Sequence, residues 1–227
     1  IHGQHQYMYK RDTKQPLLNF ARCIVHFAVD TDEAYMTTKL NGKNTFFLPF
    51  NKGNKHGKGN PELLKGEVGH RTNYLWNEVF TRESLANIIQ HFVRLDGKKK
   101  DPLQTKTLFF PRYHQMDVVR QIISDASKKG VGQTYLVQHS AGSGKSNSIT
   151  WAAYQLIEIY PINEDVPGSR GLEQPLFDSV IVVTDRRLLD KQIRDNISDF
   201  SEMKNIISPA YSSKELRESL EQGKKII

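Results

Sequence analysis

The chain has 227 residues, 32 basic and 25 acidic side chains, a formal charge of +7 and a pI near 9.3. Apolar residues make up 37%, enough for one large or two smaller cores, so disorder is excluded on composition. A single cysteine, Cys23, excludes an internal disulfide and a cysteine zinc cluster and fits a reducing, cytoplasmic setting, and no apolar stretch is long enough to span a bilayer.

Residues 22–50 read as an antiparallel meander. Arg22 to Val29 is rich in β-formers, Asp30-Thr31-Asp32 is a turn signal, and Glu33 to Leu40 resumes the extended pattern. Asn41-Gly42 is a hairpin dipeptide, and Thr45 to Phe50 predicts a third strand whose Pro49 marks an edge. Residues 51–61, NKGNKHGKGNP, hold no large apolar side chain and read first as a solvated mobile loop, second as a loop near phosphates. Thr81 caps a predicted helix with Leu85, Ile88, Ile89, Phe92 and Val93 on one stripe. Asp96 to Pro102 predicts a domain boundary, giving domains over 1–100 and 101–227.

Beyond it, helices are predicted over about 111–128, 144–160, 187–197 and 214–222. Short strands are predicted at Thr134–Val137, Val180–Thr184, 205–207 and 224–227. Such alternation predicts a parallel sheet covered on both faces. The chain opens without methionine and closes on Ile226-Ile227 after two lysines, which reads as a piece of a longer polypeptide.

The strongest chemical signal is His139-Ser140-Ala141-Gly142-Ser143-Gly144-Lys145-Ser146, between a predicted strand and a predicted helix. Backbone amides of such a turn converge on a phosphate. Gly142 and Gly144 permit the required backbone, with Ser143 between them. Lys145 supplies a charge to the β- and γ-phosphates, and the Ser146 hydroxyl is placed for Mg²⁺. His139 departs from the usual glycine. Val180 to Asp185 has two readings. In one, Asp185 is the metal carboxylate of a small-molecule kinase. In the other, Thr184, Asp185, Arg186 and Arg187 lie near a nucleic-acid backbone, with Lys191 close behind. A third reading is a basic DNA-binding module without catalysis, charged by the loop at 51–60, Lys98 to Lys100 and Arg186-Arg187.

Phe110 to Asp117 resembles the glutamine motif of superfamily 2 helicases, in which Gln115 would read adenine by accepting from N6 and donating to N7, with Arg112 nearby. FPRYHQMDVVR, LVQHSAGSGKSNSITW and VIVVTDRRLLDKQI together resemble the restriction (motor) subunit of type I restriction-modification enzymes. The upstream block RCIVHFAVDTDEAYMTTKLNGKNTFFLPFNKG is similar to that family too, and so is LWNEVFTRESLANIIQHF. The resemblance implies an α/β fold: the C-terminal part of a restriction-endonuclease-like domain, then the first portion of a P-loop RecA-like domain. It also implies ATP and Mg²⁺ as cofactors. The implied partners are double-stranded DNA and the methyltransferase (modification) and specificity subunits, with no membrane. Nuclease carboxylates are expected before Ile1 and the acidic motif after Ile227, so no catalytic residue is assigned within 1–227 and the piece alone is expected to be inactive.

Overall fold

A computed structural model describes residues 2–54, 57–98, 100–185, 193 and 206–227. The chain forms two compact units, Ile1–His114 and Gln115–Ile227.

The first unit opens with helix α1 (His2–Tyr9) and a meander of β1 (His26–Val29), β2 (Ala34–Thr37) and β3 (Leu48–Pro49). Both pairs are antiparallel, with His26 opposite Thr37 and Tyr35 opposite Pro49. The Asp30 carboxylate closes the β1–β2 turn by accepting from the amides of Asp32 (2.9 Å) and Glu33 (2.8 Å). These bonds favour the ionised form and hold its pKa below the ordinary value. Phe27 meets Phe50 and Phe80 edge-on at 5.1 Å each and Phe110 at 6.0 Å, so aromatic packing fills the centre of this unit.

The loop after β3 is anchored at its base, where the sequence predicted a solvated mobile segment. Asn60 is 2% exposed; it accepts from the Lys52 amide and donates to Asp32 O and Asn51 Oδ1. Asn51 Oδ1 in turn accepts from the Ala34 amide at 2.8 Å. Side-chain amides thus replace the apolar contacts that the sequence lacks.

A π-helical turn (Leu75–Val79) leads to α2 (Arg82–His91), capped by Thr81 Oγ1, which accepts from the Ser84 amide at 3.3 Å. Ile88 is buried on this helix, and Phe92 follows it into the core. β4 (Arg94–Asp96) pairs antiparallel with β5 (Thr107–Phe109), so the lysine-rich stretch between them is a hairpin connection.

Helix α3 (Tyr113–Lys129) ends at Gly130, whose φ of 70° is the left-handed conformation that favours glycine. In the second unit it is followed by α4 (Lys145–Leu156) and α5 (Ser213–Glu221). Ile226 forms parallel bridges to Val180 on one side and Ile207 on the other. Backbone bonds from Val180 N to Lys225 O (2.8 Å) and from Ser208 N to Ile226 O (2.9 Å) hold the three segments together. Ala153, Tyr154 and Ile157 of α4 share a core with Ile193 and Ile226, against which Val180, Val182, Ile206 and Ile207 pack.

The architecture is therefore mixed α/β, and its ladders are small and antiparallel. Parallel pairing among the described residues is limited to the bridges at Ile226. Thr134–Val137, expected as a strand, pairs with no described segment, and Leu136 is 95% exposed. Its β-forming side chains satisfy propensity, but a strand also needs a neighbour for its amides and carbonyls. The helix expected over 187–197 lies outside the described residues apart from Ile193.

Candidate nucleotide-phosphate site

The predicted phosphate loop bends as its glycines permit. Gly142 and Gly144 have φ of 73° and 82°, and the Ser143 amide donates back to Ser140 O at 3.3 Å. Gly144 occupies the cap position of α4, and no side chain caps it. The first amides of a helix have no partner in the preceding turn, so the start of α4 offers donors and the positive end of its dipole to an anion.

Lys145 is the first residue of α4 and is exposed. Its Nζ donates to His139 O (3.1 Å) and Ser140 O (3.0 Å), which fold the side chain back across the bend. The cation thus stands over the loop and outside the protein interior. This geometry also disposes of the misfit at His139. What the loop takes from that position is a carbonyl, which any residue supplies. Among the described residues the only non-glycine with positive φ is Ala21, so His139 needs no glycine-specific backbone.

Ser146 is half-buried in the first turn of α4, and its carbonyl accepts from Thr150 Oγ1 at 2.9 Å, one turn on. Its hydroxyl and the phosphates of a bound nucleotide are the groups that would hold Mg²⁺. No group of three or more His, Cys, Asp or Glu suited to a metal occurs among the described residues, so the protein itself offers no separate cation cage.

Gln115 lies in the first turn of α3 and is 3% exposed. Its Nε2 donates to Ser143 O at 3.1 Å and to Gly144 O at 3.0 Å. The structure therefore brings Gln115, Ser143, Gly144 and Lys145 together. The contact from Gln115 to the loop carbonyls was not legible in the sequence. A glutamine 28 residues before its acceptor carries no local signal, because backbone carbonyls are the same at every position.

Arg112 lies in the first unit, half-buried, with its pKa lowered by desolvation. In the second unit Thr184 is half-buried and Asp185 exposed, at the end of the segment that starts at Val180. Arg186, Arg187 and Lys191 lie outside the described residues.

A glycine bend closed by a backbone-held lysine at a helix start defines a P-loop-like phosphate site. A family model for the SWI2/SNF2 ATPase matches residues 114–227, just over half of the chain, and the chain belongs to this family. It is accordingly a superfamily 2 helicase-like ATPase, an enzyme class that hydrolyses ATP, generally with Mg²⁺. No curated protein and no solved structure matches it. No helix among the described residues is long and apolar enough to cross a membrane.

Proposed function

We propose that the chain is part of the motor subunit of a type I restriction-modification enzyme. In this reading ATP hydrolysis in the whole subunit drives translocation along double-stranded DNA, with cleavage at a distance. Residues 1–100 are the C-terminal part of the nuclease domain with its connector, and 101–227 are the N-terminal portion of the first RecA-like domain. The methyltransferase and specificity subunits are its partners. Several separate sequence blocks support this reading, and the SWI2/SNF2 family match supports its motor half.

The single observation that carries the nucleotide role is Lys145 Nζ held by His139 O and Ser140 O at the mouth of α4. From there it can turn to a triphosphate without crossing the protein. In the proposal Gly142, Ser143 and Gly144 present their amides to the β-phosphate, Lys145 neutralises the β- and γ-phosphates, and Ser146 with the phosphates holds Mg²⁺. Bound Mg²⁺ would screen the charge that builds on the phosphates during hydrolysis. Thr184, Asp185, Arg186 and Arg187 face the DNA backbone. A kinase using Asp185 as its metal carboxylate is disfavoured, because the matched family is an ATPase family.

Thermal unfolding with and without Mg·ATP tests the phosphate role. The wild type should gain several degrees at millimolar nucleotide, and Lys145→Ala should lose that gain while its ligand-free melt is unchanged. An equal gain in both proteins would discard the site. Translocation is tested separately in the complete enzyme by displacement of a triplex-forming strand, which Lys145→Ala should abolish.

A further inference from the structure

Gln115 raises a question of stoichiometry. An amide that reads adenine must donate one N–H to N7 while its oxygen accepts from N6. A glutamine amide owns two N–H bonds and no more. In this structure Nε2 has two carbonyl oxygens at donor distance, Ser143 O at 3.1 Å and Gly144 O at 3.0 Å. The identity of the atom is set by chemistry: an amide oxygen in that place would face two other oxygens with no hydrogen between them. Both donors are therefore committed to the loop backbone, and none is left for N7. The side chain is also 3% exposed, so it reaches the solvent side of the loop only by breaking both bonds.

The carbonyls it holds are the informative ones. Ser143 and Gly144 are the last residues before α4, and Gly144 is held at φ 82° with no side-chain cap. A glycine in that conformation is not restrained by its own sterics. Two bonds from one buried, packed side chain fix the orientation of two successive peptide planes. Those planes carry the Gly144 and Lys145 amides, which must point to one place if they are to share a phosphate oxygen.

We propose that Gln115 is a positioning residue that latches the phosphate loop, and that it does not read the base, so that the site selects its nucleotide by the polyphosphate tail. The inference rests on the nucleotide role proposed above and assigns its selectivity. A loop organised before the ligand arrives binds any polyphosphate more tightly, because less conformational freedom is lost on binding.

The test uses the 227-residue chain with ATP, GTP and inorganic tripolyphosphate, each with Mg²⁺, measured by calorimetry or thermal shift. Gln115→Ala and Gln115→Glu are compared with wild type; Glu keeps the volume, but a carboxylate has no hydrogen to donate. The latch predicts that both variants weaken all three ligands in parallel, by roughly tenfold for two lost hydrogen bonds, with the ATP-to-GTP ratio unchanged. A loss confined to ATP makes Gln115 the adenine reader and overturns the proposal. A ligand-free arm separates the latch from the nucleotide role. Hydrogen exchange of the amides over 139–146 should rise about tenfold in Gln115→Ala, while amides over 151–154 in α4 stay protected. Unchanged exchange in the loop overturns the latch whatever the ligands do. If the wild type binds none of the three ligands and exchange still rises, the nucleotide role fails and the latch stands as a feature of the fold alone.

Discussion

Gly130→Ala should destabilise the second unit by about 3 kcal/mol, summed from three terms. Gly130 sits just after α3 with φ 70°, a region where a β-carbon costs about 1 kcal/mol relative to glycine. Its new methyl would also lie 2.0 Å from Pro167 O and 2.8 Å from Val166 Cγ1, so the segment at 166–167 must move away. Movement breaks the bond from Val131 N to Pro167 O (2.9 Å), worth about 1 kcal/mol. It also lifts Val166, 5% exposed, from the core it shares with Ala126, Ile159 and Leu176; losing part of that burial costs about 1 kcal/mol more. The chain has two tryptophans, and only Trp151 lies in the second unit, buried on α4. Urea unfolding followed by Trp151 fluorescence in a Trp76→Phe background therefore reports on this unit, and the midpoint should fall by roughly 1–2 M. A fall equivalent to less than about 0.5 kcal/mol, the range of an ordinary surface substitution, would refute the packing of Gly130 against Pro167.

Two further tests address the first unit. His26 is 3% exposed in β1, its Nδ1 lies 3.6 Å from Cys23 Sγ, and burial lowers its pKa below the usual value near 6.5. The folded form binds its proton less readily than the unfolded chain, so the stability from this group is complete above about pH 6.5 and shrinks as pH falls through that value. Stability measured from pH 7.5 down to 5 should show this loss, and His26→Gln should flatten it; the same slope in both proteins would assign the effect elsewhere. Thr81→Ala removes the cap that accepts from the Ser84 amide and should cost about 1 kcal/mol, read as faster hydrogen exchange in the first turn of α2. Unaltered exchange there would mean that packing of Ile88 alone holds the helix start.

The sequence by itself determined the features whose causes are local. Alternating β-formers around an Asp30 turn produce the meander, Thr81 places the start of α2, and the glycine spacing places the bend before Lys145. Each is set within a few residues by sterics, capping or side-chain period, so one segment suffices to find it. The resemblance of the residues around His139 to a motor family belongs to the same category, and the family match over 114–227 agrees with its ATPase part. Only the tertiary structure decided which distant groups meet. Thr134–Val137 has strand propensity, but its pairing depends on backbone groups elsewhere, and no described segment supplies them. Ile226 instead gathers parallel neighbours at Val180 and Ile207, an arrangement that no local pattern encodes. Asn60 anchors a loop that composition alone makes look free. Gln115 commits its amide to two loop carbonyls that are indistinguishable, as sequence, from all the others. Propensity and motif spacing are properties of neighbouring residues, whereas hydrogen-bond partners across the fold exist only once the chain has brought them within about 3 Å.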